Sequence, residues 1–290
     1  GRNRSQSART AARAPMTGST LINGRFQAEV PATDRGLLFG DGLFETMGFR
    51  KGTCPLWDRH MRRLLRGCQM LGISAPDLEQ LDQECQRLAK PADRVVIRIT
   101  LTRGSGGRGY WPEEGDSPTR IVQSRGWPEG QARAQEYGLR GITSSLRINP
   151  QPALAGLKHC NRIEQVLAAR ECLRRGAEEA LVFDQNDRLA EAISSNLLLR
   201  HGNAWITPVS PAAVAGVGLE WLLSEPPVPI HARAVERAEL DQVDSILVIN
   251  SIGGIRPLCD LDHRDLIIDQ DCRRLQHHWN QQLIPVCDDF

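Results

Sequence analysis

The chain has 290 residues, enough for one large or two medium domains that each bury a core. Its 36 basic and 35 acidic side chains leave a net charge of +1, so no bulk field favours nucleic acid or an anionic membrane surface as partner. No apolar run approaches the roughly 20 residues of a membrane-spanning helix. The eight cysteines, scattered without C-x-x-C or zinc-ligand spacing, read as reduced thiols of a cytoplasmic protein with no metal site.

Residues 1–20 stand apart. Arg2, Arg4, Arg9 and Arg13 alternate with small residues, no acid precedes Glu29, and there is no apolar h-region of a secretory signal. A disordered tail is expected there, with Met16 near the natural start. An N-terminal α/β domain is expected over 21–125. It opens with a strand and turn at Leu21–Arg25, and a further strand runs up to Arg50. A helix follows from Asp58, on which Met61, Leu64, Leu65, Cys68 and Leu71 form one apolar stripe. A second helix spans Asp77–Ala89, and strands follow at Val95–Leu101 and Arg120–Val122. Between 126 and 136 the apolar pattern fails around Gly126, Pro128 and Gly130, which marks an interdomain linker.

The C-terminal α/β domain, 137–290, begins with short strands near Leu139–Thr143. Asn161 and Glu164 fit a capping box for a helix that continues through Leu173 and stops at Gly176. Strands are expected at Ala180–Phe183, Asn196–Arg200 and Ile246–Ile249, with another helix opening near Gly216. Mixed sheets in two α/β layers satisfy this order better than regular βαβ winding.

Gly104-Ser105-Gly106-Gly107-Arg108-Gly109 matches the dinucleotide fingerprint G-x-G-x-x-G and follows a strand. Tyr110-Trp111-Pro112 comes next, however, and proline stops the helix the fingerprint needs. Where an acid should hold the ribose, about 20 residues on, the chain has Ile121–Arg125. The match is therefore refused.

Only Lys51, Lys90 and Lys158 are lysine; arginine supplies the other basic residues. A chain so poor in lysine still places Lys158 between a loop and an amphipathic helix. Arginine could replace it for charge, but not where a primary amine must lose its proton and react.

The run Gly156-Leu157-Lys158-His159-Cys160-Asn161-Arg162-Ile163-Glu164-Gln165-Val166 resembles the Schiff-base lysine region of fold-type IV pyridoxal-phosphate enzymes. Within that family it is most similar to the deoxychorismate lyases. The resemblance extends from about Leu21 to Pro257, with separated motifs in the family's order. It implies a two-domain α+β fold holding pyridoxal 5'-phosphate between the domains, and a homodimer. Lys158 would supply the amine for the cofactor aldehyde and Glu191 the acid at the ring nitrogen, with Ser195 and Asn196 of the same motif also binding the cofactor. Arg63, in His60-Met61-Arg62-Arg63-Leu64, the amides of Val217 and Gly218 at a helix start, and the hydroxyl of Ser251 would hold the phosphate. The chain departs from the family at Leu219-Glu220, where arginine or a similar residue is common.

The same resemblance gives Thr46 the placing or protonation of a leaving group and puts Phe44 against the substrate. It makes the Gly-rich run a pocket-closing loop whose Arg108 and Tyr110 bind a substrate carboxylate. In relatives with D-amino acid transaminase activity, that loop reaches the neighbouring subunit's site. The implied reaction turns 4-amino-4-deoxychorismate into 4-aminobenzoate and pyruvate, towards folate. A D-amino acid or branched-chain aminotransferase is the alternative, and a cofactor-binding protein without efficient catalysis is a third reading.

Overall fold

The computed structural model describes residues 18–90, 92–115 and 117–283; the arginine-rich stretch expected as a tail lies almost wholly outside them. The first part of the chain runs β1 (Thr20–Ile22), β2 (Arg25–Phe26), α1 (Arg35–Phe39), β3 (Gly42–Arg50), α2 (Trp57–Leu71), α3 (Leu78–Ala89), β4 (Arg94–Thr102) and β5 (Thr119–Arg125). The strands form one sheet in the order β2-β1-β5-β4-β3. Strand pairing is antiparallel throughout. The expected mixture of directions is thus absent from this sheet. Two helices join β3 to β4, and β4 returns beside β3 in the antiparallel sense.

Alternation along β3 sends Leu43, Met47 and Phe49 into a core with Met61, Leu64 and Cys68 of α2 and Leu81 of α3. Each such side chain stabilises by about 1.5–3 kcal/mol when fully buried. The apolar stripe read from α2 is the one that packs. Asp77 caps α3 by accepting from the backbone of Glu79 (2.9 Å) and Gln80 (3.1 Å).

Residues 126–136, the expected linker, pass to the second sheet and already include the start of α4 (Gln131–Tyr137). Then follow β6 (Leu139–Ile148), α5 (Ile163–Arg174), β7 (Glu179–Asp184), β8 (Leu189–Ala192), β9 (Asn196–His201), β10 (Ala204–Pro208), α6 (Val217–Ser224), β11 (Ile230–Arg233), β12 (Ser245–Asn250), β13 (Gly254–Leu261), β14 (Arg264–Asp265) and α7 (Gln270–Leu283). This sheet is mixed, ordered β11-β10-β9-β12-β13-β6-β7-β8 with β14 on β13. It curls so that β8, at one end, is joined to β9 by a tight turn in which Ala192 N–H donates to the Ser195 carbonyl (2.8 Å). One side buries Leu197, Leu199, Val248 and Phe183; the other packs Leu198, Leu247 and Ile249 against Leu275 and Trp279 of α7.

One expectation fails at α5. Arg162, not Asn161, occupies the cap position, and no side chain caps the helix. Asn161 instead donates from Nδ2 to the Gly40 carbonyl (3.0 Å), across the molecule. A Cβ at Gly40 would meet Asn161 Oδ1 at 2.3 Å, so the glycine leaves room for that contact. Tertiary contact has displaced the local cap.

Candidate active site

Lys158 stands where the two sheets meet. The backbone of 158–160 extends the edge of β3: Phe44 N–H donates to the Lys158 carbonyl (3.0 Å), and Cys160 N–H to the Gly42 carbonyl (2.9 Å). Arg162 braces the same loop, donating from Nε to the His159 carbonyl (3.0 Å) and from Nη2 to the Leu157 carbonyl (2.7 Å). The amine therefore projects from a fixed backbone into a cavity of about 650 Å³.

The cavity is lined by Phe44, Thr46, Arg63, Lys158, Glu191, Ser195, Asn196, Val217, Gly218 and Ser251. These are the residues singled out from the sequence, apart from Arg108 and Tyr110. The two exceptions do not line this pocket: Arg108 is exposed, and Tyr110 is 78 % exposed on the 104–111 loop.

Burial, assisted by the Arg63 charge and opposed by Glu45, brings the Lys158 ammonium down to about 8. Its Nζ sits 4.5 Å from the centre of the Phe44 ring. Glu191 is shifted the other way: burial raises its carboxyl, while the Val214 amide, Arg162, Lys158 and Gln165 pull it back. One of its oxygens accepts from Val214 N–H (2.8 Å) and the other from Gln165 Nε2 (3.3 Å).

Arg63 reaches the pocket from α2 through a clamp that sequence reading missed. Glu45, alternating with Phe44 and Thr46 along β3, faces α2 and takes a bidentate contact from Arg63 Nε (2.7 Å) and Nη2 (2.5 Å). Arg63 Nη1 donates to the Ala215 carbonyl (2.8 Å), and His60 Nδ1 stands 2.6 Å from Glu45. Burial works against the Glu45 charge, but Arg63 and His60 outweigh it and hold the carboxyl at about 2. The only signal in the sequence was the acid's place between two pocket residues, since its partners lie 15 and 18 residues away.

At the far wall, α6 begins at Val217 with no side-chain cap, so its first N–H groups are available to an anion. A Cβ at Gly216 would overlap Asn196 Oδ1 at 1.6 Å, and Asn196 also donates to the Val214 carbonyl (3.0 Å), which fixes this turn. Ser251 donates its hydroxyl to the Thr46 carbonyl (2.9 Å), tying β3 to the β12–β13 turn rather than leaving that proton for a ligand. Ser195 Oγ accepts from Asn250 Nδ2 (3.0 Å) and Arg256 Nη2 (3.3 Å). Arg98, also unremarked in the sequence, lines the cavity with its guanidinium 4.0 Å from the Phe44 ring centre, and burial lowers its pKa.

An amine poised near neutrality, a buried carboxylate, a clamped arginine and a helix start share one cavity. That donor set fits a cofactor carrying an aldehyde, a basic ring nitrogen and a phosphate. Residues 42–261 match the family described as amino-transferase class IV, and the chain belongs to that family. It is 30% identical to an aminodeoxychorismate lyase from Vibrio harveyi over 268 residues, 89% of this chain and 98% of that protein. Among solved structures, the 4-amino-4-deoxychorismate lyase of Pseudomonas aeruginosa superposes with a TM-score of 0.84 at 38% identity, over 90% of this chain and 98% of that one. The branched-chain amino acid aminotransferase of Escherichia coli shares the fold, with a TM-score of 0.81 at 19% identity over 94% and 97% of the two chains.

Proposed function

We propose that the protein is a pyridoxal-phosphate-dependent lyase that converts 4-amino-4-deoxychorismate to 4-aminobenzoate and pyruvate, serving folate synthesis in the cytoplasm. The observation that carries this reading is Thr46 in the same cavity as Lys158 and Glu191, supported by the resemblance of the surrounding motifs and of whole chains named for that activity.

Lys158 would hold the cofactor's aldehyde end, Glu191 its ring nitrogen, and Arg63 with the Val217 and Gly218 amides its phosphate. A protonated ring nitrogen would also give Glu191 the cationic neighbour that a buried carboxylate needs. When bound, the cofactor supplies an electron sink that acidifies the C–H bond on the substrate's amine-bearing carbon. Lys158 Nζ, neutral in a useful fraction because its pKa lies at about 8, takes that proton. The C–O bond on the adjacent carbon breaks, its electron pair leaves with the enolpyruvyl oxygen, and Thr46 Oγ1 protonates or orients that oxygen. Aromatisation of the ring makes the step irreversible. Phe44 backs the substrate ring.

A second copy of the chain completes the site in this reading. Ile163 (65 %) and Val166 (51 %) of α5, Leu37 (68 %) of α1, and Tyr110 and Trp111 of the loop are all exposed. Burying such apolar surface favours association. Arg108 and Tyr110, turned from their own pocket, would then grip a carboxylate in the partner's. The test is direct. Holoenzyme given deoxychorismate should release 4-aminobenzoate and pyruvate, with only slow amine exchange between ordinary amino acids and keto acids. Fast exchange without aminobenzoate would instead make it an aminotransferase.

A further inference from the structure

We propose that Arg35 is a positioning residue for substrate recognition, pinning loop 104–111 so that Arg108 and Tyr110 are presented in one fixed geometry. The inference rests on the reading above in which those two side chains grip the substrate.

Arg35 is 4 % exposed, and four of its five N–H groups are engaged. Its Nη1 donates to the carbonyls of Gly109 (2.8 Å) and Gly106 (3.3 Å), and its Nη2 to that of Tyr110 (3.1 Å). Its Nε meets Asp41 Oδ2 (3.1 Å), an acid shared with Arg103 Nε (2.8 Å). The Arg35 amide reaches the Gly104 carbonyl (2.8 Å). The guanidinium lies 5.0 Å from the Phe39 ring centre, and that ring sits 5.3 Å from Tyr110.

The neighbouring Asp34 secures both stems of the loop. Its Oδ2 accepts from Thr102 Oγ1 (2.9 Å) before the loop and from Thr119 Oγ1 (2.7 Å) after it. Within the loop, Gly104, Gly106, Gly107 and Gly109 all have positive φ. Such a glycine-rich run loses much backbone entropy on ordering and would sample many shapes unaided. Three carbonyls bound by one rigid, buried guanidinium select one of them. A lysine could hold Asp41 but could not span the three acceptors. The loop is therefore a preformed arm, and Arg35 sets where Arg108 arrives without touching substrate itself.

The experiment compares Arg35→Gln, Arg35→Lys, Arg108→Ala and the Arg35→Gln/Arg108→Ala double variant as holoenzymes. It measures kcat and KM with deoxychorismate, cofactor affinity, and amide exchange of 104–111. Arg35→Gln should raise KM roughly tenfold with kcat held within about threefold, since misplacing a binding group weakens substrate grip before chemistry. Cofactor affinity should be unchanged, loop exchange faster, and Arg35→Lys intermediate. In the Arg108→Ala background, Arg35→Gln should add little to KM. Three results overturn the proposal: KM effects that simply add, cofactor affinity falling in step with KM, or an unmoved KM in Arg35→Gln while Arg108→Ala raises it. If Arg108→Ala leaves KM unmoved, the reading of Arg108 as substrate grip falls and takes the recognition role of Arg35 with it; faster loop exchange in Arg35→Gln would mark that case apart.

Discussion

The cofactor end of the pocket and the 104–111 arm are built on opposite plans. At the cofactor end, residues from both sheets converge within one chain: Arg63 from α2, Lys158 from the loop that extends β3, Glu191 from β8, and the turn into α6. Their side chains line one cavity, with Arg63 held by Glu45 and the Ala215 carbonyl and Glu191 by the Val214 amide and Gln165. The arm is equally well fixed, through Arg35, yet Arg108, Tyr110 and Trp111 are exposed on it and do not line the cavity. In the proposed reading, a single chain thus makes the seat for the chemistry but holds its substrate grip outside it. The difference separates the parts that should govern turnover and cofactor retention from those that should govern KM.

The sharpest way to break that division is at Lys158. Lys158→Ala should abolish turnover, and borohydride treatment of the wild-type holoenzyme should fix the cofactor to the Lys158 peptide alone. Label on Lys51 or Lys90 would overturn the cofactor seat. Apoprotein should also capture cofactor with a rate that rises with pH and levels off above about 8, because a buried amine at about 8 is neutral well below the ordinary lysine range. A midpoint near 10.5 would show that the amine is solvated. Glu191→Gln comes next. Turnover should fall on the order of 10²-fold while cofactor stays bound, since an amide cannot hold a ring proton. Near-normal rates would remove Glu191 from the chemistry.

Much of the pocket lining was legible in the sequence because its residues lie in contiguous motifs. The Lys158 run, Glu191 to Asn196, and the glycines before α6 each carry their meaning locally, and β7 and β12 are apolar runs that could only be buried strands. What escaped depended on residues distant in sequence. Glu45 is an acid in a strand until α2 brings His60 and Arg63 against it. Arg98 is one more polar position on β4 until Phe44 and the cavity face it. Arg35 carries no signal in the sequence until three carbonyls of the 104–111 loop close on it. Asn161 misled in the opposite sense: its local cap chemistry was sound, but the Gly40 carbonyl outcompeted it. Strand direction in the first sheet was invisible for a similar reason, since alternation fixes faces and not order.

Arg63 and Arg108 provide a paired comparison of smaller size. Arg63→Ala should weaken cofactor affinity about tenfold or more, from loss of a charge-assisted contact of roughly 1.5–3 kcal/mol, with a lesser effect on the chemical step. Arg108→Ala should leave cofactor affinity alone and raise KM for the dicarboxylic substrate. Titrating cofactor into both apoproteins and measuring KM in both holoproteins resolves the two. A loss of cofactor affinity in Arg108→Ala would collapse the distinction between seat and arm.

The smallest effect concerns Glu45, which touches neither substrate nor cofactor in this arrangement but fixes Arg63. Its carboxyl stands at about 2 in the fold against an ordinary value of 4.5, because Arg63 and His60 favour the charged form more than burial disfavours it. The ionised group therefore contributes stability that is fully present above pH 4.5 and is lost as pH falls towards about 2. Glu45→Gln retains one acceptor for Arg63 but cannot titrate. The variant should melt somewhat below the wild type at neutral pH. Its melting temperature should also fall less steeply than that of the wild type between pH 4.5 and 2. His60 titrates in contact with Glu45, so both proteins are also compared in a His60→Asn background, where the difference between the two curves reports the carboxyl. Parallel curves across that window would mean that Glu45 is not held ionised by the clamp, and that Arg63 owes its position to the Ala215 carbonyl instead.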